Sequence, residues 1–223
     1  TDLPEYTNEK TDSISLIKQD HLGWPYDTMM RFHMFLSIQE RLLEFDYVFF
    51  LNANMEFNRK VGIEILPKED DSYLVGVKHP GFHLGVTIGW EREFKKIEFP
   101  YERNPEISCS IKKGEGKHYF QGCFNGGRST EWIDMCRYLT EMIDSDLSKN
   151  LIPIWHDESY LNWYFSKRKV KALPPVYGVP EQVLNEEFAP TEINYSVLRD
   201  AIHYLIQRDK RKYGGSEFLR ENK

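Results

Sequence analysis

The chain has 223 residues, of which 40% are hydrophobic and 14% are aromatic. This length and composition are typical of one large globular domain and exclude a disordered chain. Acids outnumber bases by 35 to 29, and the resulting net charge of -6 argues against a non-specific nucleic-acid binder. No stretch approaches the roughly 20 apolar residues of a membrane span. We therefore expect a single domain over residues 1–223, with no nucleic-acid partner and no membrane segment.

The three cysteines are odd in number and lack the spacing of a CxxC motif or a zinc site: Cys109, Cys123 and Cys136. Neither a disulfide framework nor a structural zinc is indicated, and a reducing compartment is the simplest interpretation.

The first half of the chain alternates apolar strands with polar turns and one helix. The run "ISLIKQ" (14–19) predicts a first strand, and Asp27 is a possible cap for a helix that continues to about Leu42. The run "YVFFL" predicts a central strand that ends at Asn52-Ala53-Asn54. The run "SYLVGVKHPGF" repeats this pattern and ends at His79-Pro80-Gly81.

The second half continues the alternation. The run "KHYFQGCFNGG" predicts a short strand that enters a glycine-rich loop at Gly122, Gly126 and Gly127. "STEWIDMCRYLTEMIDSDL" predicts a helix capped by Ser129 or Thr130, with an inward face made of Trp132, Met135, Cys136, Leu139, Met142 and Ile143. "LIPIWHDESYLNWYFSKRK" predicts a short strand and a second helix, whereas residues 197–212 fit a helix and a strand equally well.

Strands that alternate with helices indicate an α/β sheet with helices on both faces. Ligands of such sheets bind where the strands end. We therefore expect three polar segments to meet at one edge of the sheet: residues 52–54, 79–81 and 121–127.

Glu158 is the ionisable side chain of greatest interest. It shares a helical stripe with Leu161 and Phe165, which places its carboxylate on the apolar side near the start of a helix. Asp157 and Glu158 can be ordinary first-turn acids that the helix dipole favours. The functional alternative is a carboxylate held against a sugar ring, as a nucleophile or as the charge that stabilises an oxocarbenium-like centre.

Asn52 and Asn54 have the spacing of a metal-binding pair of aspartates, but a neutral amide is a weak ligand for a hard cation. A polar turn after a buried strand explains them equally well. If a diphosphate binds here without a metal, positive charge must come from Arg31 or from the basic run "QRDKRK", which includes Arg208, Lys210 and Lys212. A basic run near a terminus can also be a solvated end.

Seven segments, in this order, resemble glycosyltransferase family 6, which includes the mammalian blood-group A and B enzymes: "GWPYDTMMR", "DYVFFLNANMEF", "VGIEILP", "HPGF", "FPYER", "GEGKHYFQGCFNGG" and "IWHDESYLNWY". They cover most of residues 20–178, and "WHDES" is the most specific of them. The resemblance implies an α/β fold of the GT-A type, a mixed sheet flanked by helices, apparently without the family's first strand-helix-strand unit.

The resemblance also implies the activity. Family members transfer galactose or N-acetylgalactosamine from a UDP-sugar to a galactose 3-hydroxyl with retention, here on a fucosylated or lactose-like glycan. Glu158 matches the catalytic glutamate, while His79, Trp155 and Tyr177 fall at the acceptor site. The expected donor-site residues are Trp24, Arg31, Asn52, Ala53, Asn54, Gly81, Gln121, Gly122, Cys123, Asp157, Arg208, Lys210 and Lys212.

One departure sets the expected mechanism. Mammalian members carry Asp-x-Asp and need Mn²⁺, whereas Asn52-Ala53-Asn54 is similar to bacterial members that work without metal. We therefore expect a cytoplasmic bacterial enzyme with no cofactor, whose basic tail (208–223) closes over the donor site. Gly81 leaves room for an N-acetyl group, whereas the larger Cys123 makes that room smaller. Both galactose and N-acetylgalactosamine are therefore possible donor sugars. The alternative is a catalytically impaired protein that binds glycans through the acceptor cleft.

Overall fold

The computed structural model describes residues 14–83, 99–184 and 203–209. Two sheets organise this part of the chain. The larger has the strand order β1-β4-β3-β5 and the smaller the order β2-β7-β6. Their strands are β1 (Tyr47–Leu51), β2 (Met55–Phe57), β3 (Leu74–Lys78), β4 (Phe120–Arg128), β5 (Lys171–Leu173), β6 (Val179–Pro180) and β7 (Leu205–Gln207).

The α-helices are α1 (Tyr26–Met29), α2 (Arg31–Leu36), α3 (Gln39–Leu42), α4 (Pro80–His83), α5 (Ser129–Leu147), α6 (Asp157–Ser166) and α7 (Glu181–Leu184). Short 3-10 helices lie at Ile63–Ile65, Glu69–Asp71 and Pro175–Tyr177. Within the described ranges, none of these helices has both the length and the apolar character needed to cross a bilayer.

The larger sheet is mixed, which confirms the predicted class of fold. Strand β4 is antiparallel to both β1 and β3, so those two strands run in the same direction, and β5 is parallel to β3. One face packs on α5 and α6, where the predicted inward residues of α5 are all buried, from Trp132 to Ile143. The opposite face packs on the smaller sheet and the helical turn at Pro175–Tyr177. The described chain is thus a mixed sheet with long helices on one face and the smaller sheet with a short helical turn on the other, so the prediction of helices on both faces holds for one face.

The prediction of one continuous helix from Asp27 to Leu42 is wrong, because this segment forms three short helices, α1, α2 and α3. The backbone leaves helical geometry at Met30 (ψ 11°) and Ile38 (ψ 20°). Asp27 lies inside α1 and does not cap it, since its carboxylate accepts the backbone N–H of Leu22. Ser129 does not cap α5 either; it is the first helical residue, and its hydroxyl donates to the carbonyl of Phe45.

Two further predictions of strands are wrong. Residues 14–19 carry no strand, and Ile14 is half exposed. Residues 151–154 carry none either. Leu151 N–H donates to the carbonyl of Asp146, Ile154 N–H donates to the carboxylate of Glu102, and Pro153 has no N–H to donate. The ambiguous segment 197–212 is described only from 203, where Leu205–Gln207 forms a strand.

The predicted glycine-rich loop is wrong, because its glycines lie inside β4. A side chain on Gly126 would meet Phe49 and the carbonyl of Val48, while one on Gly127 would meet the carbonyl of Tyr73. These glycines let the neighbouring strands approach β4 closely.

Candidate active site

The predicted polar edge of the sheet forms at one end of β4. Leu51 at the end of β1 pairs with Phe124, and Lys78 at the end of β3 pairs with Phe120. Residues 52–54 and 79–81 therefore flank Gln121–Cys123, as the strand-end argument expects. Gly126 and Gly127 lie towards the other end of β4, where Gly127 is opposite Val48 and Leu74. That part of the prediction is wrong, since β4 continues straight through them.

Glu158 lies in the first turn of α6, and both of its carboxylate oxygens are held. The hydroxyl of Tyr119 donates to Oε1 at 2.7 Å, and the backbone N–H of Gly122 donates to Oε2 at 2.6 Å. Burial raises the pKa of Glu158 to about 7, although the hydrogen bonds from Tyr119 and Gly122 and the charge of Arg31 oppose the rise. An oriented carboxylate that titrates near neutral pH is typical of a catalytic site.

Arg31 joins the beginning of α2 to the same peptide of β4. Its guanidinium donates to the carbonyl of Gly122 at 2.9 Å and lies 3.0 Å from Oδ2 of Asp157. The Arg31 and Asp157 side chains are only 14% and 5% exposed. The guanidinium also lies over the ring of Phe50, 4.5 Å from its centroid. Asp157 is therefore more than a first-turn acid, because it fixes a cation beside Glu158.

Gly122 is the centre of this arrangement. Its N–H binds Glu158 and its carbonyl accepts from Arg31. A Cβ atom at this position would lie 3.3 Å from Oε2 of Glu158 and 3.4 Å from Oδ2 of Asp157, so glycine leaves room for both carboxylates. Gln121 and Cys123 point to the other face. There Gln121 donates to the carbonyl of Gly178, and Cys123 packs in the second core, which is the apolar cluster between the larger sheet and the smaller one.

Asn52 and Asn54 lie in the turn between the two sheets. The backbone N–H of Asn52 donates to the carbonyl of Cys123. Asn54 is tied to Arg208 by two bonds, since the N–H of Arg208 donates to the Asn54 carbonyl at 2.9 Å and the Asn54 side-chain amide donates to the Arg208 carbonyl at 2.7 Å. The start of the basic tail is therefore attached to this turn. The intervening Ala53 is exposed.

Arg208 forms ion pairs with two acids. Its guanidinium lies 2.9 Å from Glu56 and 3.5 Å from Glu181. Lys210 and Lys212 fall outside the described residues. Asn54 Oδ1 is buried and lacks a hydrogen-bond partner among the described residues, which leaves an acceptor free at the turn.

The residues predicted for the acceptor differ in exposure. Trp155 is exposed, and Trp24, a predicted donor residue, is exposed with its ring 4.7 Å from that of His156. Burial lowers the pKa of His79 to about 4, and its neutral Nδ1 accepts the N–H of Gly81 at 3.0 Å. Tyr177 is buried and stacks on Tyr204 with 4.6 Å between ring centroids, so it supports the second core.

Tyr119 is the site residue that the sequence analysis missed. It lies 39 positions from Glu158, and no local spacing connects the two. Burial, followed by the charge of Glu158, raises the pKa of Tyr119, which keeps its hydroxyl protonated as a donor. Among the described residues, no group of three or more His, Cys, Asp or Glu side chains could hold a metal ion.

A mixed sheet with an oriented glutamate and a largely buried arginine at the ends of its strands is consistent with an α/β fold of the nucleotide-sugar transferase type. Comparison with known proteins gives the family. The model of glycosyltransferase family 6 matches residues 2–200, and the chain belongs to this family.

Relatives include bacterial and vertebrate proteins. The chain is 32% identical to the O-antigen biosynthesis glycosyltransferase WbnI of Escherichia coli, over 95% of this chain and 80% of that protein. It is 30% identical to the histo-blood group ABO system transferase 1 of Rattus norvegicus, over 77% of this chain and 46% of the relative. The globoside alpha-1,3-N-acetylgalactosaminyltransferase 1 of Gallus gallus is 28% identical, over 74% of this chain and 46% of its own length. The chain thus spans about half the length of these two vertebrate relatives. The class of activity that the family gives is glycosyl transfer.

Proposed function

We propose that the protein transfers galactose or N-acetylgalactosamine from a UDP-sugar to the 3-hydroxyl of a galactose in a fucosylated or lactose-like glycan. The new linkage is α and the configuration of the donor sugar is retained. The observation that carries the proposal is the double hydrogen bonding of Glu158, whose two oxygens are fixed by Tyr119 and Gly122.

Glu158 supplies negative charge to the anomeric carbon of the donor sugar as the bond between this carbon and the diphosphate breaks. The carboxylate either attacks this carbon and is then displaced by the acceptor hydroxyl, or stabilises the oxocarbenium-like centre while that hydroxyl attacks. In both cases the departing diphosphate takes the proton of the hydroxyl. Its ionised form is the active one. Because burial raises its pKa to about 7, the ionised fraction grows as the pH rises through neutrality.

Positive charge from the protein takes the place of a metal ion at the diphosphate. Arg31 holds one such charge next to Glu158, and Asp157 keeps it oriented. The two amides at Asn52 and Asn54 are neutral and weak ligands for a hard cation. The Asn54 amide is in addition committed to the Arg208 carbonyl. This bond attaches the tail, whose Lys210 and Lys212 we assign to the diphosphate.

Asn54 also offers a hydrogen-bond acceptor to the UDP-sugar. Its buried Oδ1 lacks a partner in the described part of the chain, and an unsatisfied buried acceptor costs about 1–3 kcal/mol. A hydroxyl of the donor sugar or ribose that reaches this oxygen would remove that cost. Gly81 is the position we assign to the choice between the two donor sugars, because Cys123 is packed in the core on the other face of β4.

The experiment is transfer from UDP-galactose and UDP-N-acetylgalactosamine to 2'-fucosyllactose, followed by NMR of the product. An α-1,3-linked sugar supports the proposal. A β linkage would refute the retaining mechanism. Binding of the glycan without turnover of either donor would instead support a glycan-binding protein with the acceptor cleft kept.

A further inference from the structure

Glu102 is a buried carboxylate that takes no direct part in the proposed transfer. It belongs to the segment "FPYER" (99–103). The backbone N–H groups of Arg103 and Asn104 both donate to its Oε1 at 2.8 Å, and the N–H of Ile154 donates to its Oε2 at 2.8 Å. One carboxylate oxygen therefore fixes the local chain, and the other holds a segment 52 residues further along.

The segment that Glu102 holds is a turn directly before α6. The N–H of His156 donates to the carbonyl of Pro153 at 3.2 Å, which closes the turn. We call residues 153–156 the Trp155 turn. The N–H of Glu158 donates to the carbonyl of Trp155 at 3.0 Å, and the indole ring of Trp155 is exposed. The turn is thus attached to the first turn of α6 and presents an aromatic ring to solvent three residues before Glu158.

The backbone of the Trp155 turn needs support from its surroundings. His156 has φ 50° and ψ -125°, a conformation that a residue with a Cβ atom rarely adopts. Such a conformation persists where neighbouring contacts hold it in place. The ring of His156 lies edge-on to that of Trp24, with 4.7 Å between the centroids, and the N–H of Ile154 is held by Glu102. Glu102 is therefore the buried anchor of a strained turn.

The segment that contains Glu102 also supports the carboxylate of Glu158. The rings of Phe99 and Tyr101 pack on the ring of Tyr119, with 6.4 Å and 5.5 Å between the centroids. The hydroxyl of Tyr119 in turn donates to Glu158. The segment 99–103 therefore contacts both the tyrosine that orients the catalytic carboxylate and the turn that precedes it.

We propose that Glu102 is a positioning residue for the acceptor glycan, which acts by holding the N–H of Ile154 and so fixing the ring of Trp155 relative to Glu158. The proposal rests on the glycosyl transfer proposed above. Aromatic rings commonly line ligand sites, and the exposed indole gives the acceptor sugar an apolar surface. Glu102 itself does not touch the glycan. Its loss should therefore weaken the binding of the acceptor and leave the donor beside Arg31 in place.

Two variants of Glu102 separate its local bonds from its bond to the Trp155 turn. In Glu102→Gln the amide has one acceptor oxygen where the carboxylate has two. We expect this oxygen to keep the N–H groups of Arg103 and Asn104, so that the NH₂ group faces the N–H of Ile154 and the two donors cannot pair. In Glu102→Asp the shorter side chain keeps its charge and its local bonds but does not reach Ile154. The second variant carries the test if the first does not fold.

Asp146→Asn is the matched control, because it is also an acid-to-amide change at a buried position. The carboxylate of Asp146 accepts hydrogen bonds from Ser108 and from the hydroxyl of Tyr160. None of its hydrogen bonds in the described part of the chain reaches the Trp155 turn. We expect Asp146→Asn and Glu102→Gln both to unfold at lower urea concentration than the unaltered protein.

The readout is the pair of KM values for sugar transfer to 2'-fucosyllactose. We expect both Glu102 variants to raise the KM of the glycan about tenfold and to leave the KM of the UDP-sugar unchanged, because only the acceptor is misplaced. Asp146→Asn should keep both values. A parallel rise of the two KM values in the Glu102 variants would overturn the proposal, as would an equal rise of the glycan KM in Asp146→Asn. A normal glycan KM in Glu102→Asp would overturn it too, because the local bonds would then suffice.

Failure of the proposed function is distinguishable from failure of this inference, because amide hydrogen exchange detects the contact without any substrate. We expect the N–H of Ile154 to exchange about tenfold faster in Glu102→Gln than in the unaltered protein, and at an unchanged rate in Asp146→Asn. If the unaltered protein transfers no sugar, the proposed function fails, and exchange alone decides whether Glu102 holds the turn. Equal exchange at Ile154 in all three proteins overturns the inference.

Discussion

Replacing Arg31 by methionine tests the charge arrangement beside Glu158. The change removes a guanidinium that donates to the Gly122 carbonyl at 2.9 Å and lies 3.0 Å from Asp157. Breaking a buried ion pair by deleting one partner costs about 3–5 kcal/mol, because the other charge stays buried. Since Arg31 is 14% exposed, we expect a loss in the free energy of unfolding of about 3 kcal/mol.

The assay is urea unfolding at pH 7, with two companion variants. Arg137→Met removes an exposed Arg–Asp pair, whose side chains are 48% and 68% exposed, and should cost at most about 1 kcal/mol. Arg31→Met combined with Asp157→Asn removes both buried charges and should recover most of the lost stability. Transfer should stay low in both Arg31 variants, because the diphosphate still lacks its cation.

A loss below about 1 kcal/mol for Arg31→Met would refute this reasoning, because the pair would then behave like an exposed one. Recovery of transfer together with stability in the double variant would also contradict it. In that case Arg31 would be needed only for folding.

Two further predictions concern the hydrogen bonds of the site. Tyr119→Phe removes the donor that lowers the pKa of Glu158, so the rise of kcat/KM with pH, centred near 7, should move to higher pH. Tyr138→Phe changes an exposed ring and should leave that profile unchanged. If the Tyr119→Phe profile did not move, Glu158 would not be the group whose ionisation controls the rate. Asn54→Asp replaces an N–H donor by a carboxylate oxygen facing the Arg208 carbonyl and should cost about 1–3 kcal/mol in urea unfolding. Asn52→Asp adds the same charge to the same turn without touching that bond, and equal losses in the two variants would mean that the bond to Arg208 contributes nothing.

The sequence predicted the parts of the fold that depend on local pattern. The inward face of α5 repeats with helical spacing, and β1 and β3 are short apolar runs that end in polar turns, so their placement needed no tertiary information. Because β1 and β3 end at the same side of the sheet, residues 52–54 and 79–81 meet Gln121–Cys123 at one edge, as predicted.

The failures come from contacts between distant segments. Glycines favour loops by local propensity, but Gly126 and Gly127 serve in a strand because Phe49 and Tyr73 lie against them. The partner of Glu158, Tyr119, lies on another element and carries no local signal. The amides of Leu151 and Ile154 bond to α5 and to Glu102 and not to a neighbouring strand, which only tertiary contacts decide.

We propose that protein cations, and not a metal ion, balance the donor diphosphate. The most direct measurement is the rate of sugar transfer to 2'-fucosyllactose in excess EDTA, compared with the rate after Mn²⁺ is added back, for the unaltered protein and for Glu158→Gln. We expect equal rates with and without Mn²⁺ for the unaltered protein, and a loss of transfer without loss of glycan binding for Glu158→Gln. Transfer that appears only when Mn²⁺ is restored would contradict it.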